Sequence, residues 1–101
     1  MDQAVACSRL LSAVVVLAIK DACQTPGRKM LNQLPKNALE FLFYESDGYL
    51  EWLDIDPEQF RKRLVGVMYT KNKNPPYSLN EQDCRNLRIN YQMWCNDHIA
   101  K

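Results

Sequence analysis

The chain has one histidine and three glycines in 101 residues, and each shortage removes a class of chemistry. His98 has no second histidine to join it at a metal, and no motif around any cysteine gives it a nucleophile to activate. Gly27, Gly48 and Gly66 stand far apart, so there is no glycine-rich loop to cradle a phosphate. The four cysteines, Cys7, Cys23, Cys84 and Cys95, contain no C-x-x-C pair. Cys84 and Cys95 share one predicted helix with His98, but about 16 Å of helix separates the two thiols. One zinc ion cannot hold both. Free, reduced thiols are expected, with no metal and no other cofactor. Long apolar runs are also missing. The longest, Leu10 to Ile19, falls short of the roughly 20 residues needed to span a bilayer. It follows a Met-Asp-Gln start rather than a basic segment, and Lys20 and Asp21 follow it where a cleavage site needs small neutral residues. A core helix is the expectation, with no membrane association.

What is present is an ordinary globular composition, 47% apolar and 25% charged, which is incompatible with disorder. The length fits a single domain over residues 1–101. The net charge of +1 conceals a segregation of sign. Residues 36–60 carry one cation, Lys36, against seven carboxylates, a net of −6. Residues 61–101 carry eight cations against three carboxylates, a net of +5. Such asymmetry points to a charged partner surface or a complementary self-contact, a homodimer among them.

The periodicity predicts an all-α fold, a compact orthogonal bundle of about five helices. Residues 2–23 form the first helix. Asp2, Arg9 and Lys20 fall on one line of it, and nearly everything else is apolar, so it should be covered on most sides. Pro26-Gly27 ends it, and residues 28–35 read as a loop or short turn closed by Pro35. Asn37 then caps a helix over 38–44, with Glu40 as its box partner. Ser46-Asp47-Gly48 breaks the chain before a short helix over 49–53. Asp54-Ile55-Asp56 is a turn, and Asp56-Pro57-Glu58 is a strong start signal for a helix to about Tyr69. In that helix Phe60, Leu64, Val67 and Met68 share the core face. Glu58, Arg61, Lys62, Val65 and Tyr69 share the opposite one. Residues 71–76 read as a loop. Ser78, with Glu81, caps a last helix to about His98, which buries Leu79, Leu87, Tyr91 and Trp94.

Short helix, tight turn and longer helix, YLEWL-DID-PEQFRKRLVGVMY, is the outline of a helix-turn-helix. In such units the second helix enters the major groove. Gln59, Arg61, Lys62 and Arg63 are the candidate DNA-binding residues, with Arg suited to guanine, Gln to adenine, and the cations to phosphate. Any amphipathic surface helix can carry Arg-Lys-Arg on its wet side, however, and the carboxylates around the preceding helix would repel phosphate. Those carboxylates, Glu45, Asp47, Glu51, Asp54, Asp56 and Glu58, form an alternative protein-binding strip that imitates phosphate. Asp54 and Asp56 could also be imagined as an acid–base pair, but turn and cap roles explain both. No catalytic constellation emerges, and a non-enzymatic role is expected.

The segments RLLSAVVVLAIKDA (residues 9–22) and ALEFLFYESDGYLEWLDIDPEQFRKRL (residues 38–64) resemble a group of small, mostly uncharacterised phage and prophage helical proteins. The most specific part of the likeness is Leu53 to Arg61. The resemblance implies a compact helical fold with a helix-turn-helix-like segment, a phage origin and a place in the host cytoplasm. Two functions follow as expectations. One is a regulator binding duplex DNA through residues 57–65. The other is an effector whose acidic strip binds and inhibits a host protein, such as a nucleic-acid-handling or defence complex. A second candidate surface is the last helix, where Arg85, Arg88 and Gln92 lie near one stripe with Asn86 and Asn90 on its flank. Tyr91 and Trp94 lie beside them.

Overall fold

A computed structural model describes residues 3–69, 77 and 79–99, with the side chains of 9–69, 77 and 79–97. Every regular element among them is helical. The helices are α1 (Gln3–Ala22), α2 (Gln33–Glu40), α3 (Asp47–Trp52), α4 (Pro57–Tyr69) and α5 (Glu81–Ile99), and α2 runs on into a π-helical turn, Phe41–Glu45. The loop expected over 71–76, the Ser78 cap and the side chains of Asp2, Cys7 and His98 lie outside the described residues.

Helix α1 packs chiefly on α2, and also on α5, α3 and the π-turn, while α4 packs on α5 and α3. The core is a set of fully buried aliphatics, Ile19, Leu39, Leu42, Leu50, Leu64 and Leu87, with Phe60, Val67, Met68 and Trp94 around them. The expected inner face of α4 is buried at all four positions. The coverage expected of α1 is corrected. Among its described side chains, 9–22, only Val15, Ala18, Ile19 and Ala22 are buried, and Leu10 and Leu17 are more than 60% exposed. Four β-branched or aliphatic neighbours in a row cannot all face inward on a helix, because the period spreads them around its circumference.

Two helix starts differ from expectation for identifiable reasons. Helix α2 begins at Gln33, not Ala38, so Pro35 lies in its first turn rather than closing a loop. A missing N–H costs nothing there, since the first amides of a helix have no intrahelical acceptor. Asn37 is interior, and its Oδ1 accepts from Gln33 Nε2 at 2.7 Å across one turn. Helix α5 begins at Glu81 behind a reciprocal box formed two residues later than expected. The Asp83 N–H donates to Asn80 Oδ1 at 2.7 Å, and the Asn80 N–H donates to Asp83 Oδ2 at 3.1 Å. Asn and Asp here play the parts expected of Ser78 and Glu81. Lys20 reaches Asp83 at 3.8 Å and joins the end of α1 to the start of α5.

Candidate functional site

The α3–α4 connection is built by backbone chemistry that its sequence dictates. Asp54 adopts a left-handed conformation, φ 60°. The Ile55 N–H reaches the Leu50 carbonyl at 2.8 Å and the Asp54 N–H reaches the Glu51 carbonyl at 3.0 Å. This is the paired closure of a Schellman motif, with aspartate where glycine is most common. Asp56 then caps α4, its Oδ1 accepting from the Glu58 N–H at 3.2 Å. The turn and start signal expected at 54–58 are therefore present. The break expected at Ser46-Asp47-Gly48 narrows to Ser46, because Asp47 and Gly48 already belong to α3.

The four candidate DNA contacts do not form one face. Arg61, expected to be exposed, is only 23% accessible at its side chain. Its Nε donates to the Leu42 carbonyl at 3.1 Å, and its Nη2 reaches Ser46 Oγ at 3.4 Å and pairs with Asp47. The acceptor lies in the π-turn, whose Leu42 carbonyl takes two side-chain donors. Buried Ser46 donates to the same oxygen at 2.7 Å, and Arg61 completes the arrangement from α4. Lys62 lies in an open groove with Phe43, Glu58, Arg61 and Val65. Gln59 and Arg63 are exposed but border a different concavity, in which Asp54 and Asp56 also take part. Each cation of the Arg-Lys-Arg run thus has a carboxylate in its surroundings.

The acidic strip behaves differently. Glu45, Asp47, Glu51, Asp54, Asp56 and Glu58 are all exposed. Asp47 is held by Arg61 and Asp56 by its cap, while among the described residues Glu45, Glu51, Asp54 and Glu58 make no ion pair or side-chain hydrogen bond. Beside them stand two large aromatics that the charge pattern alone does not single out. Tyr44 is 62% exposed and Trp52 is 61% exposed. Helical geometry held the signal for Trp52, because Leu50, fully buried, lies about 200° around the α3 axis from it. Exposed tryptophan next to polar groups is typical of protein-interface anchors.

The second candidate surface, on α5, turns out to be largely structural. Asn86 and Asn90 are buried and close the C-terminus of α1. Asn86 Nδ2 donates to the Cys23 carbonyl at 3.1 Å, and Asn90 Nδ2 donates to the carbonyls of Ala22 and Gln24 at 2.9 and 2.8 Å. Trp94 is buried, and Tyr91 packs with it and with Phe43 at ring separations of 5.3 to 6.1 Å. Tyr44 lies at 5.5 Å from the Trp94 ring. Arg85 is exposed and Arg88 half-buried. Gln92 donates to the Tyr69 hydroxyl at 3.4 Å. Cys23, Cys84 and Cys95 are unbridged. Burial, with Asp83 and Cys84 nearby, pushes the Cys23 thiol up to about 12, and burial likewise raises Cys84.

Among the described residues no group of acidic, cysteine or histidine side chains could hold a metal ion, and no helix is long and apolar enough to cross a membrane. The chain matches no protein-family model, and no curated protein and no solved structure is significantly similar to it.

Proposed function

We propose that this protein is a binding module whose α3 surface engages a basic face of another protein. The observation that carries the reading is Trp52, a large aromatic exposed on a six-residue helix amid Glu51 and Asp54. An aromatic anchor supplies most of the energy of such a contact, and exposed carboxylates around it select a basic partner and speed encounter. The resemblance to phage proteins supplies a context, an effector that binds and inhibits a host protein by offering carboxylates where phosphates would sit. No enzymatic role is part of this reading.

The competing function, duplex DNA binding by a helix-turn-helix, would use Gln59, Lys62 and Arg63. Against it stand the withdrawal of Arg61 into the fold and the carboxylates near the other cations. An electrophoretic shift with mixed duplex at low and moderate salt separates the two. The protein-binding reading expects no shift at either salt. A shift that disappears in a Lys62→Ala/Arg63→Ala variant would establish DNA as the ligand.

A further inference from the structure

A cleft of about 320 Å³ opens between α1 and the α3–α4 turn. Its floor is apolar, formed by the buried side chains of Val15 and Phe60. Asp54 and Asp56, both exposed, stand at its rim. Tyr77, whose ring meets that of Phe60 edge-on at 6.2 Å, also lines it. Gln59 and Arg63 border it along α4. The volume lies at the low end for ligand sites and suits one side chain rather than a folded element.

We infer that this cleft receives a single arginine side chain of the protein partner, an inference that rests on the interface reading above. The complementarity is of two kinds. Lying along the cleft from the α4 side, an arginine side chain sets its aliphatic stem against the apolar floor and its planar guanidinium at the opposite rim, where a fork of donors meets carboxylates. Asp54 and Asp56 supply those carboxylates, and Phe60 and Tyr77 supply the apolar wall along which the stem lies. Gln59 and Arg63 offer donors to the carbonyls of the peptide that carries the arginine. The like charge of Arg63 disfavours a run of adjacent cations, so an isolated arginine is the preferred occupant. Norleucine has a similar stem without the charge, and lysine has the charge without the fork.

The test uses the full chain and the blocked tripeptide acetyl-Gly-Arg-Gly-amide, followed by the amide and side-chain resonances of Ile55, Phe60 and Tyr77. Saturable shifts are expected with the arginine peptide, weaker ones with its lysine analogue and none with its norleucine analogue. Asp54→Asn should weaken binding by about threefold, as loss of one exposed ion-pair partner does. Val16→Trp and Ser12→Trp each fill the cleft from an exposed position of α1 and should abolish the shifts without unfolding the chain. Shifts that survive both filled variants, or no shifts at all, overturn the assignment. The interface reading is tested separately, by cross-linking from position 52. A cross-link that needs Glu51 together with no tripeptide response sinks the cleft alone. A tripeptide response with no such cross-link sinks the interface.

Discussion

Arg61 shows how one side chain can change meaning between sequence and structure. Within Arg-Lys-Arg it reads as a groove contact, yet its guanidinium closes the π-turn by way of the Leu42 carbonyl. Arg61→Ala should therefore lower stability by about 1–3 kcal/mol, the range for losing a charged hydrogen bond to a mostly buried acceptor. Urea unfolding measures it, and an unchanged midpoint would return Arg61 to the surface. Asn90 carries a similar burden, since its amide serves two carbonyls at the end of α1. Asn90→Ala should cost about 2–4 kcal/mol by stranding both acceptors, and Asn90→Leu should not restore the loss. Denaturant midpoints of the two variants check this. The thiols make a third prediction. The unfolded Cys23 thiol releases its proton near 9, while the folded one holds it to about 12. Folded-state proton retention stabilises the protein below pH 9, and that contribution should disappear as pH rises from 9 towards 12. At neutral pH Cys23 should resist alkylation until the chain unfolds, after which all four thiols should titrate without reductant. Rapid alkylation of native Cys23 would contradict its burial.

At the scale of elements, α4 and its neighbouring turn were the most legible part of the chain. Asp56, Pro57 and Glu58 combine side-chain capping, a preset φ and dipole complementarity, and α4 begins at Pro57 as these require. What was not legible arose from tertiary or reciprocal contacts. Pro35 is a breaker by propensity but harmless in a first turn, so α2 starts five residues early. Asn80 and Asp83 form a box outside the usual Ser/Thr–Glu pattern. The π-turn has no periodic signature, because one additional residue in a turn is fixed by packing of Phe43 and Tyr44 on α5. The acids of the candidate strip were readable as a charge cluster, while Trp52 needed the burial of Leu50 to fix its direction. The Schellman closure gives a prediction at this scale. Asp54 occupies a left-handed position that glycine adopts at less cost. Asp54→Gly should raise stability by up to about 1 kcal/mol, and Asp54→Val should lower it, both read from thermal unfolding. A loss with glycine would show that the carboxylate itself holds the turn. In the proposed function the same substitution removes a rim charge, so stability and partner affinity should move in opposite directions.

For the whole molecule, charge segregation and the helical scaffold act together. The net −6 of residues 36–60 is spread over α2, the π-turn, α3, the following turn and the first turn of α4. Of the cations that follow on α4, Arg61 is paired with Asp47, and Lys62 and Arg63 share concavities with Glu58 and with Asp54 and Asp56. The result is an acidic, aromatic-bearing face in a chain whose overall charge is close to zero, a distribution that favours a basic protein surface over a polyanion. The most direct test of that claim places a photoreactive benzoylphenylalanine at position 52, where the native tryptophan is already exposed, and irradiates cells that express the variant. The account predicts a protein adduct that is lost when Glu51→Lys is added and retained when Lys62→Ala is added instead. An adduct indifferent to Glu51→Lys, or one that requires Lys62, would contradict it.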